Sequence, residues 1–96
     1  VNKIEKEMVN LKLAGFTSDE EDDLMHFAML YACSKCMFDN VELNIKKKTV
    51  SFDNYIVAYI GTGSWFDRYK LHDKDNRFLH STDNIDTVFK YIYCGG

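Results

Sequence analysis

The residues of this 96-residue chain that could do chemistry are three cysteines, three histidines and an unbroken run of five acids. Cys33-x-x-Cys36 sets two thiols three positions apart, a spacing at which two thiolates can share one metal ion. A closed zinc site needs two further ligands, and Cys94, His72, His80 and His26 are what the chain offers. His26 precedes Cys33 by seven residues. On a helix that is roughly 10 Å along the axis, too far for both to chelate one ion. Cys94 with His72 or His80 would complete a site only if the last helix and the sheet converge there. A redox dithiol is disfavoured for another reason. Thiolates are stabilised at helix N-termini, whereas this pair falls near a helix C-terminus, where the dipole opposes them. The plainer reading is a pair of small buried core residues. No metal and no cofactor is therefore expected, with a Cys/His zinc-stabilised structural domain as an alternative.

The acidic run is Asp19-Glu20-Glu21-Asp22-Asp23. Acids in the first turn of a helix complement its dipole, worth about 0.3–1 kcal/mol each. That accounts for two or three of them. Five in succession repel one another and go all round the helix. The surplus suggests a surface that docks on a basic partner or imitates nucleic-acid phosphates. The charge distribution sharpens the point. Residues 17–40 hold six acids against Lys35, a net −5, while residues 1–16 and 41–96 are each +1. The overall charge of −3 thus comes from one segment. An acidic chain is poorly suited to gripping phosphates, so direct nucleic-acid binding is not expected.

The remaining groups have ordinary explanations. Lys46-Lys47-Lys48 could hold phosphate, but lysines at such a place more often solubilise a turn or guard a sheet edge. Trp65-Phe-Asp-Arg-Tyr-Lys70 mixes aromatics with bases as single-strand binders do, yet on a strand those aromatics are core. Gly61-x-Gly63 leads into a strand and not into a helix, so it is no phosphate loop. Asp73-x-Asp75-Asn76 lacks the glycine and the distal glutamate of a calcium loop. His72, His80, Asp67 and Asp73 could serve acid–base chemistry on a phosphodiester. His80-Ser-Thr82 is similar to one half of the paired His-x-Thr signature of two-histidine phosphoesterases, but the second half is missing. A small phosphodiesterase or nuclease using His72 and His80 is the enzymatic alternative.

The elements that must position these residues follow from periodicity. Val1, Ile4, Met8 and Leu11 recur at helical spacing, and Gly15 supplies a stop. Ser18-x-x-Glu21 is a capping-box pattern, with Thr17-x-x-Glu20 as its alternative. The helix it opens should run to about Met37. From Leu24 to Cys33 only His26 is polar, which predicts a helix buried on several sides. From Val41 the period becomes two. Val41, Leu43 and Ile45 alternate with polar residues, and after the lysines the apolar positions shift to Val50 and Phe52, so the chain turns or bulges there. Tyr55–Ile60 is apolar on both faces and reads as a central strand. Trp65–His72 is the return strand, and Arg77–His80 is a short edge strand. Asp83 is expected to cap a last helix carrying Ile85, Val88, Phe89 and Ile92.

The expected architecture is one α+β domain over residues 1–96. Two N-terminal helices precede an antiparallel meander of four to five strands, and one C-terminal helix closes the chain. The longest apolar run, Phe27–Cys33, is far short of the ~20 residues that span a bilayer. Neither a signal core nor a full disulfide pairing of three cysteines is legible, which suggests a cytoplasmic protein with free thiols and no membrane contact. Ile, Asn, Lys, Tyr and Phe supply 36 of 96 residues, as in AT-rich genomes of low-GC bacteria and their phages. The function expected is a non-enzymatic protein-binding module. It would use Asp19, Glu20, Asp22 and Asp23 to dock on the basic surface of a protein, such as a host nucleic-acid-binding protein that a phage or mobile element inhibits.

Overall fold

The computed structural model describes residues 3–17, 21–61 and 68–94. Helix α1 (Lys3–Leu13) and helix α2 (Glu21–Met37) precede five strands: β1 (Val41–Asn44), β2 (Thr49–Phe52), β3 (Tyr55–Tyr59), β4 (Tyr69–Asp73) and β5 (Phe78–Thr82). Helix α3 (Ile85–Cys94) follows. The strands pair antiparallel in sequence order, so the expected α+β meander is the one formed. No helix among the described residues is long and apolar enough to cross a membrane.

α1 stops as its glycine predicts. The Phe16 amide bonds the Leu11 carbonyl and the Gly15 amide that of Lys12, the paired bonds of a Schellman motif. Gly15 adopts φ 103°, which a side chain would strain. The motif turns Phe16 into the core, where its ring stacks on Phe27 at 5.2 Å. α2 is the central element. Phe27, Ala28 and Leu30 are fully buried, and Ser34, equally buried, returns its hydroxyl to the Leu30 carbonyl at 2.7 Å.

The strands place one face under the helices. Cross-strand pairing puts Val50 opposite Val57, Val57 opposite Leu71 and Tyr59 opposite Tyr69, and all five of these residues are buried. Their alternates (Thr49, Ser51, Ile56, Ala58 and Lys70) are half-buried or exposed. The lysine triplet occupies the β1–β2 turn, where the Lys47 amide bonds Asn44 Oδ1 and Lys48 takes a positive φ. The change of apolar register at the lysines is thus a turn, as the sequence suggests.

Several boundaries differ from expectation, among them that of β5, which runs over Phe78–Thr82 and not over Arg77–His80. β4 begins at Tyr69, and Trp65, Phe66 and Asp67 lie outside the described residues. α3 is capped by Asn84 and not by Asp83. Asn84 Oδ1 accepts the Asp86 amide at 2.9 Å, as the residue before the first helical turn must. Asp83 and Asn84 are both competent caps. In the helix that follows, Ile85, Val88 and Phe89 face the core together.

Candidate partner-binding surface

The first turn of α2 carries Asp22 and Asp23, two of the four acids that the sequence singles out. Asp22 is exposed. Asp23 is half-buried and faces the sheet, accepting a hydrogen bond from the Tyr59 hydroxyl at 2.7 Å. Asp19 and Glu20 lie outside the described residues, as does the Ser18 cap. Gly61 closes the other side of Asp23. A Cβ there would lie 3.7 Å from the carboxylate, and the φ of 95° favours glycine in any case.

One turn along, His26 extends the same network. Its Nε2 is bonded by the Arg68 guanidinium, which can only donate. The neutral ring therefore keeps its proton on Nδ1. Burial first, and then the Arg68 charge, hold the His26 pKa below its ordinary value, against the opposing pull of Asp22 and Asp23. The ring lies nearly parallel to Tyr59, with centroids 6.4 Å apart. The Tyr69 hydroxyl donates to the His26 carbonyl at 3.3 Å. Burial pushes the Tyr69 phenol up to about 12, and it pushes Tyr59 further, helped by the bond to Asp23. Both hydroxyls stay protonated and act as fixed donors.

This arrangement positions charge. Two tyrosines and one arginine, on β3, on β4 and just ahead of β4, fasten the start of α2 to the sheet. A cleft of about 280 Å³ beside it is lined by His26, Met29, Tyr69, Asp83, Asn84 and Ile85. The β5–α3 connection thereby brings Asp83, exposed, to the cleft that His26 lines, one helical turn from Asp22. Sequence reading missed Asp83 as a member of this surface, and it missed the locking of Asp23. Tyr59 lies 36 positions from Asp23 and Arg68 lies 42 from His26, so no local pattern announces either pair.

The other chemistry-bearing residues do not assemble. His72 and His80 point to opposite faces of the sheet. His80, paired with inward-facing Leu71, stacks on Tyr91 of α3 at 5.1 Å, while His72, next along β4, packs edge-on against Phe78. Cys33 is half-buried, its thiol pushed up by burial and then by Cys36 and Asp86. Cys36 and Cys94 are exposed, so Cys36 is not the buried core residue expected of it. The last turn of α2 leaves that position facing outward. Among the described residues no three His, Cys, Asp or Glu side chains are grouped to hold a metal ion. Asp73 is occupied as a turn, its Oδ1 accepting the amides of Asp75 and Arg77 at 2.9 Å. Lys48 lies over the Phe16 ring at 5.4 Å.

Compared with known proteins, the chain matches no family model, no curated protein and no solved structure.

Proposed function

We propose that this chain is a non-enzymatic protein-binding module that docks the acidic start of α2 on a basic surface of a partner protein. The observation that carries the reading is the confinement of charge. Residues 17–40 are net −5 while both flanks are +1. Asp19, Glu20 and Asp22 are the docking carboxylates, and Asp83 extends their field from the β5–α3 connection. Asp23 has a different part. Bound by Tyr59, it fixes the helix start in place, so little conformational freedom is lost on docking.

A surface of this kind favours a partner whose lysines and arginines ordinarily meet phosphates, since carboxylates at similar spacing satisfy the same cations. The test uses immobilised full-length chain in a low-salt lysate, with heparin as a polyanionic competitor. Capture should fall with heparin, with added salt and with combined Asp19→Lys, Glu20→Lys and Asp22→Lys substitution. Capture indifferent to all three rules the reading out.

A further inference from the structure

At the other end of α2, the seam with α1 holds a thiol and an amine in direct contact. Lys3 Nζ lies 3.3 Å from Cys36 Sγ, with both side chains exposed. They line a cleft of about 280 Å³ with Lys6, Glu7, Ala32 and Lys35. Glu7 is buried there, with 7% of its surface exposed. Its Oε1 pairs with Lys35 at 3.1 Å, and its Oε2 is buried without a hydrogen-bond partner among the described residues. The cleft therefore combines a reachable nucleophilic sulfur, a neighbouring primary amine and a buried carboxylate.

We propose that this seam is an oxidative modification site, at which peroxide joins Lys3 to Cys36 through a sulfenamide bond. In the first step the Cys36 sulfur attacks one oxygen of hydrogen peroxide. The O–O bond breaks, sulfur is oxidised by two electrons to the sulfenic acid, and the second oxygen leaves as water. In the next step the unprotonated Lys3 amine attacks that sulfur. The S–N bond forms, the S–O bond breaks and a second water departs. The balance is one thiol, one amine and one peroxide giving one S–N link and two waters.

Cys33 is the competing trap, one turn back along α2. Positions three apart on a helix hold their Cβ atoms roughly 5–6 Å apart. A disulfide needs about 3.5–4.5 Å. The amine meets no such obstacle, since it already touches the sulfur. The product would bridge residues 33 positions apart and pin α1 to α2.

The experiment is intact-mass analysis and peptide mapping of the full chain after treatment with hydrogen peroxide at mildly alkaline pH. The wild type should lose about 2 Da, reversibly by dithiothreitol, with the Lys3 and Cys36 peptides joined. Cys33→Ser should keep this product. Lys3→Arg, an exposed and conservative change, should lose it and retain a sulfenic acid that dimedone traps. The unfolding midpoint should rise on oxidation in the wild type and not in Lys3→Arg. A mass loss that survives Lys3→Arg but vanishes in Cys33→Ser is an ordinary disulfide and overturns the proposal. Oxidation only to sulfinic or sulfonic acid, with no joined peptides, overturns it equally.

Discussion

The two ends of α2 are fastened by different chemistry. At its start, Asp23 is held by a neutral phenol, and Arg68 is engaged with His26. Near its end, Lys35 meets the buried Glu7 across the seam with α1, leaving one carboxylate oxygen without a partner among the described residues. Both contacts contain an acid, yet they differ in what breaking them exposes. Asp23 stands at a helix N-terminus, where the dipole and nearby amides support a negative charge. Glu7 lies in the middle of α1, where no such support exists and Lys35 supplies the compensation. The carboxylates of this chain therefore do not act uniformly. Some carboxylates serve as locks and others remain as outward charge.

Substitutions at each end test this contrast, and the largest effect should come from the element both ends share. Phe27→Ala removes a fully buried ring that stacks on Phe16 and should cost about 3–5 kcal/mol in denaturant unfolding. Lys35→Met comes next, because it strands the Glu7 carboxylate. Lys35 is itself half in water, so a loss of about 1–3 kcal/mol is expected. Adding Glu7→Leu to that variant should recover most of it, since removing both partners removes the stranded charge.

Tyr59→Phe tests the opposite end. It deletes the donor to Asp23 without changing the ring and should cost about 1–2 kcal/mol, less than stranding Glu7 does. Were Tyr59→Phe the costlier of the two, the assigned difference between the ends would be reversed.

A smaller effect concerns pH. His26 has its pKa depressed in the folded chain, so the unfolded chain takes up that proton more readily. Its contribution to stability is therefore complete above the unfolded value of about 6.5 and is lost as pH falls through the folded one. Titration of the His26 ring by NMR should show the depressed value. Arg68→Gln should move it upward, since the guanidinium contributes to the depression. No movement would mean that burial alone sets it.

The architecture was legible in the sequence because burial and periodicity coincide. α1 shows its stripe at Ile4, Met8 and Leu11, and the Gly15 stop forms the bonds its position suggests. The shift of apolar register around Lys46–Lys48 marked the β1–β2 turn. Less legible were features decided by tertiary contact. Asp83 and Asn84 are both competent caps by residue type, so the sequence alone does not choose between them. The bulge near His72 and the opposed facing of His72 and His80 depend on cross-strand register, which residue types alone do not encode. For the acidic surface, sequence revealed the charge but not its division of labour. Only the fold places Tyr59 against Asp23 and brings Asp83 to the cleft beside His26.

The smallest expected change in stability belongs to the residue with the largest expected role in binding. Asp22→Lys should cost under about 1 kcal/mol, since Asp22 is exposed and loses only its favourable place at the helix start. The most direct test of the central claim is therefore quantitative capture from low-salt lysate, comparing wild type, Asp22→Lys and the combined Asp19→Lys, Glu20→Lys, Asp22→Lys chain, each verified as folded. The account predicts that the proteins displaced by heparin from the wild type are depleted with Asp22→Lys and absent with the triple substitution. The same heparin-sensitive proteins retained at equal abundance by the folded triple variant would contradict it.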